Sequence, residues 1–162
     1  MLKIISGGQT GADRAALDAA IELGLPYGGW CPKGGWAEDM LEPPGLRAIY
    51  PELQVTPDAD PRQRTEWNIR DSDCVLVLTI AGQRDASSGT LFALGCAERL
   101  KKPLLIVEVD EGAALLEASI WLESQTISRL SIGGPRESEV PGIYGAARRF
   151  LLELFAAGAP GA

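Results

Sequence analysis

Short apolar runs alternate along the chain with longer segments in which apolar residues recur at helical spacing. The runs at residues 2–5, 74–79 and 104–109 are nearly continuous, which is typical of parallel strands that are buried on both faces. Strands that alternate with helices indicate an α/β fold, an open parallel sheet with helices on both faces. The elements predicted from weaker runs and from helical spacing are strands at 25–30, 53–56 and 126–132 and helices at 14–24, 61–71, 91–100, 113–123 and 145–157.

The length of 162 residues suits one domain with one hydrophobic core. The stretch between residues 40 and 61 is irregular and rich in proline, but it marks no clean domain boundary. We therefore predict a single domain over residues 1–158, followed by a frayed tail at 159–162.

The predicted topology brings four strand-to-helix loops to one edge of the sheet, because right-handed crossovers place such loops at the carboxyl ends of parallel strands. The loops are rich in glycine and carry Lys33, Arg84 and Arg136. Ligands of open α/β sheets bind in the crevice at this edge, so we predict a binding site there. The four loops are residues 7–13, 31–35, 80–90 and 133–138.

The loop after the first strand favours an anion. Glycine lets a ligand approach the backbone closely, and the free N–H groups that begin the next helix attract negative charge. We interpret the loop as a cradle for phosphate or a similar oxyanion, although it matches neither a Walker A loop nor the GxGxxG fingerprint. In the alternative interpretation, Thr10 caps the helix, Asp13 completes a capping box and the glycines only turn the chain. The candidate binding residues are Gly7, Gly8, Gln9, Thr10, Gly11 and Asp13.

Other segments supply further candidates at the same edge. A glycine-to-helix junction at Gly89 can present a second set of free amides to an anion. Arg64 and Asn68 share one helix face, which is either turned to the crevice or solvated. Arg136 follows a glycine turn, where it either binds an oxyanion or forms a surface salt bridge with Glu137 or Glu139. The candidates outside the first loop are Cys31, Lys33, Arg64, Asn68, Ser87, Ser88, Gly89, Thr90 and Arg136.

The loop after the second strand raises two further alternatives. Cys31 is the thiol predicted in a loop at the binding edge, so it is either reactive, a ligand for a soft metal, or an ordinary thiol. Cys74 and Cys96 lie inside predicted elements and are assigned to the core. Trp30 and Trp36 flank this loop and either stack on a planar ring of the ligand or pack in the core.

Charge and composition narrow the classes of function. The net charge of −7 argues against nonspecific binding of nucleic acid, which needs a basic surface. The absence of histidine removes a Ser-His-Asp triad, a Cys-His pair and the usual zinc sites. No apolar stretch is long enough to cross a bilayer, the N-terminus lacks the pattern of a signal peptide, and the three cysteines are scattered. We therefore expect a cytoplasmic protein that binds neither nucleic acid nor membrane.

Several motifs occur together in the chain. Besides the first loop, they are Gly29-Trp30-Cys31-Pro32, Arg64-Thr65-Glu66-Trp67-Asn68, Ser72-Asp73, Ser88-Gly89-Thr90, Gly134-Pro135-Arg136-Glu137-Ser138 and Pro141-Gly142-Ile143-Tyr144. In combination the chain resembles the molybdenum (cofactor) carrier proteins, part of the Rossmann-like group that includes the LOG or "lysine decarboxylase-like" nucleotide hydrolases. The resemblance covers nearly the whole chain. It implies a Rossmann-like fold, a homo-oligomer (dimer or tetramer) and a pocket for a nucleotide-like or pterin-phosphate anion, with molybdenum cofactor bound by some relatives.

One departure from the wider group bears on activity. The resemblance implies that hydrolases of the group use the Glu of Gly-Gly-x-Gly-Thr-x-x-Glu, together with an Arg, to cleave an N-glycosidic bond. Here Ser88-Gly89-Thr90 matches part of that motif, but Ala93 stands at the position of the Glu, and a methyl group is neither an acid nor a base.

We therefore expect a binding or carrier protein for a phosphate-bearing, nucleotide-like small molecule, with molybdenum cofactor as the candidate ligand. We assign no catalytic residue and no metal ligand. The alternatives are a nucleotide-processing enzyme that cleaves N-glycosidic bonds and a nucleotide-sensing module.

Overall fold

The computed structural model describes residues 1–156, and in them six parallel strands form one sheet with five α-helices packed on its two faces. The predicted limit of the domain at residue 158 and the predicted tail at 159–162 lie outside the described residues. The strands are β1 (Lys3–Ile5), β2 (Tyr27–Cys31), β3 (Leu53–Val55), β4 (Cys74–Thr79), β5 (Leu104–Glu108) and β6 (Arg129–Gly133). The helices are α1 (Ala12–Glu22), α2 (Pro61–Arg70), α3 (Ser88–Arg99), α4 (Ala114–Glu123) and α5 (Ile143–Ala156).

All six predicted strands and all five predicted helices are present, so the predicted fold class is confirmed. The differences are at the ends of the elements. Helix α3 begins at Ser88, three residues before the predicted start at 91, because the Ser87 side chain caps it there. Strand β6 begins at Arg129 and not at 126.

The order of the strands is β3-β2-β1-β6-β4-β5. The connections β1 to β2 and β5 to β6 run in one direction along the sheet, and the connections β3 to β4 and β4 to β5 run in the other. Since such crossovers are right-handed, α1 and α4 cover one face and α2 and α3 cover the opposite face. Helix α5 packs against α1 and α4, which places it on their face.

The two faces differ in how fully they are covered. On the face of α1, α4 and α5, the core is continuous and includes Leu76, Leu78 and Leu130. On the other face α2 packs over β2, while α3 packs against β5, and a smaller core surrounds Val75 and Val77. A gap therefore remains between α2 and α3 above the middle strands. No helix among residues 1–156 has the length and apolarity that a membrane span requires.

Candidate functional site

A cavity of about 260 Å³ lies between α2 and α3, near the carboxyl ends of β1 and β6 and over Val75 and Val77 of β4. This volume is just below the range of about 300–1,000 Å³ that is usual for small-molecule pockets. The wall comes from the loop after β1, one side of α2, the first half of β4, the start of α3, and β6 with the loop that follows it. The predicted binding residues that line it are Gly7, Gln9, Asp13, Arg64, Asn68, Ser87, Ser88, Gly89, Thr90 and Arg136.

Arg64 is the buried cation of the cavity, with only 7% of its surface exposed. Its Nη1 atom lies 3.3 Å from Oδ2 of Asp13, and this is the one hydrogen bond that its guanidinium makes within residues 1–156. A Cβ at position 7 would overlap the Arg64 guanidinium. Gly7 is therefore required for the seating of this arginine.

The buried pair is electrostatically strained. Burial raises the pKa of the Asp13 carboxyl, and the charge of Arg64 offsets part of that rise. Burial also lowers the pKa of the Arg64 guanidinium, and the nearby charge of Arg136 lowers it further. Arg64 and Asp13 are both removed from water, and one carboxylate does not fully offset the cost of burying the guanidinium. An additional negative charge in the cavity would therefore stabilise the charged form of Arg64.

Gln9 is held in one orientation by the backbone. Its Oε1 atom accepts hydrogen bonds from the amides of Thr10 and Glu38, both at 3.0 Å. Only an oxygen can accept two N–H groups, so the opposite atom of the side-chain amide is the Nε2 donor. This Nε2 atom is buried and has no partner in the described part of the chain.

The start of α3 faces the cavity with free polar groups. Ser87 Oγ accepts the Thr90 amide at 3.1 Å, but the amides of Ser88 and Gly89 make no hydrogen bond within residues 1–156. Thr90 is 5% exposed, and its hydroxyl also lacks a partner there. The helix dipole adds to the attraction of an anion at this end.

Buried polar atoms without partners are concentrated in this cavity. Across residues 1–156 four buried side-chain N or O atoms lack a hydrogen bond, and three of them belong to residues of the cavity wall. These are Gln9 Nε2, Arg64 Nε and Thr90 Oγ1. A buried polar group without a partner costs about 1–3 kcal/mol, so the cavity wall is where an added hydrogen-bonding partner would be most favourable.

Arg136 stands at the rim of the cavity. Its Nη1 atom lies 3.8 Å from Oε2 of Glu38, and its guanidinium lies 5.7 Å from the centre of the Trp36 ring. The predicted alternative of an ion pair with Glu137 or Glu139 is not what the structure shows, since Glu139 accepts the Arg136 backbone amide instead. Its side chain is 33% exposed and is free to turn toward a ligand.

The protein itself occupies the Ala12 amide at the start of α1, so this end of the predicted cradle does not face the cavity. The Ala12 amide donates to the Pro135 carbonyl at 3.2 Å, and the backbone of Pro135 to Glu137 lies against Gly11. The capping alternative is wrong, because no side chain caps this helix. Thr10 Oγ1 instead donates to Glu38 and accepts the Glu137 amide at 3.3 Å.

Five predicted residues therefore lie away from the cavity wall: Gly8, Thr10, Gly11, Cys31 and Lys33. Cys31 is the last residue of β2 and not a loop residue, its Sγ atom lies 3.4 Å from the Gln54 carbonyl, and burial raises the pKa of its thiol. Lys33 is exposed in a short 3₁₀ turn, and Gly8 lies beneath Leu46. The loop at 31–35 consequently does not contribute to this cavity.

Asn68 lines the cavity but already has hydrogen-bond partners. Its Oδ1 atom accepts the Trp30 amide at 2.7 Å, and its Nδ2 atom donates to the Trp30 carbonyl at 3.0 Å. These bonds tie α2 to β2. Trp30 itself packs at right angles on Trp67 and donates to Asp71, so it is a packing residue.

Sequence reasoning missed several wall residues, among them Arg62, Phe92 and Ser131. Ser131 had a recognisable signal in the sequence. It lies between Leu130 and Ile132, and a small polar residue inside a buried strand is unusual. Phe92 follows Gly89 by one helical turn, which places it on the same side of α3. Arg62 had no comparable signal, because one arginine on a charged helix is ordinary.

The comparisons with known proteins agree with this architecture. The model of the circularly permutated YpsA SLOG family matches residues 4–155. The solved structure of "Putative molybdenum carrier protein" from Syntrophus aciditrophicus SB, at 1.45 Å resolution, is 42% identical to this chain. The likeness covers 96% of this chain and 94% of that one, with a TM-score of 0.80. No curated protein matches. The resemblance found in the motifs is thus confirmed, and the chain belongs to the circularly permutated YpsA SLOG family.

Proposed function

We propose that this chain is a binding or carrier protein for a phosphate-bearing, nucleotide-like ligand that occupies the cavity between α2 and α3. The observation that carries the proposal is the set of three unpartnered buried atoms in the wall. Gln9 Nε2 and Arg64 Nε can only donate hydrogen bonds, so the molecule that satisfies them must bring acceptor oxygen or nitrogen atoms.

The charges of the wall favour an anion among such molecules. Arg62, Arg64 and Arg136 line the cavity, against two carboxylates, Asp13 and Asp60. Asp13 pairs with Arg64, and Asp60 caps the start of α2 through the Arg62 amide. A surplus of positive charge beside the free amides of α3 suits a phosphate group, even though the whole chain carries a net charge of −7.

Molybdenum cofactor is the candidate cargo, because the arginines of the wall suit its phosphate and the apolar wall residues suit its ring. The name of the solved relative supports this choice. Within residues 1–156 no group of three or more Cys, Asp or Glu side chains is arranged to hold a metal, and the chain has no histidine. We therefore propose that the protein holds this cargo by its phosphate and ring and supplies no ligand to the metal.

The nature of the wall also favours binding over N-glycosidic cleavage. Ala93, at the position where the related hydrolases carry a Glu, lies in the cavity wall and has no acid or base to offer. The buried carboxylate of the wall, Asp13, is engaged with Arg64. The geometry thus supports a protein that holds its ligand unchanged.

The proposal is tested by a binding screen of the whole chain. Inorganic phosphate, molybdate, the four common nucleoside monophosphates and a phosphorylated pterin are compared by thermal shift and calorimetry. We expect at least one phosphate-bearing compound to raise the melting temperature progressively with the logarithm of its concentration, since a ligand that binds only the folded state stabilises it. If no compound in the panel binds, the proposal is contradicted. If chromatography shows that a nucleotide releases its free base, the protein is instead an enzyme that cleaves N-glycosidic bonds.

A matched pair of variants locates the binding. Gln9→Glu keeps the oxygen that the Thr10 and Glu38 amides need and replaces the unpartnered donor by an acceptor. We expect it to fold and to lose phosphate binding by at least about tenfold. Gln54→Glu adds the same charge at an exposed position in β3 and should leave binding unchanged. Equal losses in both variants would mean that the cavity is not the site.

A further inference from the structure

The cavity has two chemically different parts. One is the polar part already described, built around Arg64 and the start of α3. The other is apolar and is formed by Ile69, Val75, Val77 and Phe92, which belong to or pack against the core under α2 and α3. A bare oxyanion would occupy only the polar part and would leave this apolar surface uncovered.

Phe92 and Arg62 face each other across the opening between the two helices. The Arg62 guanidinium lies 5.7 Å from the centre of the Phe92 ring. The Phe92 ring is half-buried, and Arg62 is exposed on the first turn of α2. Arg62 forms no ion pair with any carboxylate in the part of the chain that the structure describes. In an acidic protein, such an arginine is available to a ligand.

We infer that Phe92 and Arg62 form a clamp for a planar heteroaromatic ring, and that the ligand is consequently a ring-bearing phosphate and not a bare oxyanion such as molybdate. The inference rests on the proposed function, because it assigns the ring of a ligand whose phosphate lies beside Arg64. Phe92 and Arg62 determine specificity, and Arg64 with the start of α3 supplies the charge.

The spacing suits such a clamp after a small movement. Each stacked contact needs about 3.5 Å, so a ring between the two side chains requires about 7 Å, somewhat more than the present 5.7 Å. Arg62 is exposed and unpaired, so it can move outward by this amount without breaking an ion pair. Aromatic rings and arginine planes are the surfaces on which proteins stack heterocyclic bases, and each such contact is worth about 1–3 kcal/mol.

Helix α2 carries a matched pair that lies outside the cavity. The Arg70 guanidinium lies 4.7 Å from the centre of the Trp67 ring, and Arg70 also pairs with Asp71 at 2.7 Å. This second arginine is already neutralised, and neither partner lines the cavity. Both pairs are cation–π contacts with an arginine of α2, so they separate a general cation–π effect from a ligand clamp.

The test compares two probes on the intact chain by calorimetry: inorganic phosphate and whichever of AMP, GMP, CMP and UMP binds wild type most tightly. In Phe92→Leu we expect nucleotide affinity to fall about tenfold while phosphate affinity changes less than about twofold. Arg62→Ala should show the same selective loss of nucleotide affinity, to a smaller degree. Phe92→Trp should retain nucleotide affinity, and Arg70→Ala should bind both probes as wild type does.

The outcomes separate the two claims. Binding of phosphate with no added affinity for any nucleotide would overturn the clamp and leave the anion site standing. An equal loss of both probes in Phe92→Leu would also overturn it, because that result indicates a distorted cavity. If wild type binds neither of these probes nor the phosphorylated pterin of the binding screen, the proposed function fails and the clamp fails with it.

Discussion

The starts of α1 and α3 look alike in the sequence and differ in the structure. Both helices follow a glycine-containing loop at the carboxyl edge of the sheet, and both are predicted to hold an anion. At α1 the Pro135 carbonyl accepts the Ala12 amide, so the place of a ligand is taken. At α3 the amides of Ser88 and Gly89 have no partner in residues 1–156. The availability of a helix end is therefore decided by a remote segment, here the loop after β6.

The glycine-containing loops before α1 and α3 therefore have different roles. The loop before α1 packs against the loop after β6. At position 11 only glycine leaves enough room for the backbone of Pro135 to Glu137. The same loop still reaches the cavity through Gln9 and Asp13. The α1 loop thus anchors the fold and orients side chains, while the start of α3 offers backbone groups to the ligand.

The largest expected effect is a loss of stability when a side chain is added at Gly11, where α1 begins. Gly11→Ala places a methyl group against the Pro135–Glu137 backbone at a φ of 81°, where L residues are strained. We expect the free energy of unfolding, measured by chemical denaturation, to fall by about 3 kcal/mol. Gly82→Ala is the control, since Gly82 has a similar φ of 74° but an open surrounding. Gly82→Ala should lose only about 1 kcal/mol of unfolding free energy. An equal loss in both variants would contradict the claim that close packing at Gly11 stabilises the fold.

The next effect separates stability from binding at α3. Gly89→Asp has room for its side chain, because the nearest atom to a Cβ there is Ser87 Oγ at 3.7 Å. A carboxylate in the first turn favours the helix by about 0.3–1 kcal/mol, yet it repels an anion at the same place. We expect phosphate affinity to fall about thirtyfold while the melting temperature is unchanged or higher.

The control for that variant is Gly112→Asp, which adds the same charge in open space before α4. It should bind phosphate as wild type does. If it weakens binding as much as Gly89→Asp does, the effect is one of net charge and the start of α3 is not the anion site.

The smallest expected effect is at the rim. Arg136→Ala removes a half-exposed charge whose contact with Glu38, at 3.8 Å, contributes little to stability. We expect phosphate affinity to fall about tenfold with little change in folding. Arg84→Ala removes a comparable exposed arginine that pairs with Glu108 outside the cavity wall, and it should have no effect on binding. Wild-type affinity in Arg136→Ala would exclude this arginine from the site.

The fold was predictable because it follows from local periodicity. The continuous apolar run of β4 is buried on both faces as expected, and the alternation of strands and helices implies the parallel sheet. The edge that carries the site follows from crossover handedness. These inferences need no knowledge of which side chains meet across the sheet.

The details of the site needed long-range information. Nothing local to Gly11 reveals that Pro135 lies against it, and nothing local to Cys31 reveals that β2 extends far enough to bury its thiol. Asn68 was a reasonable candidate by spacing, but Trp30 engages its amide through a contact across elements. A side chain that faces the cavity is a candidate binding residue only if its polar atoms are not already hydrogen-bonded within the protein.

The seating of Arg64 over Gly7 has a consequence for how this cavity can diversify. The two positions are far apart in the chain, yet they share one volume, since a side chain at position 7 would displace the guanidinium. An alanine at position 7 would force the end of the arginine side chain to move, and this movement would change the position of the positive charge that a ligand meets. We therefore expect substitutions at position 7 to alter ligand binding through Arg64.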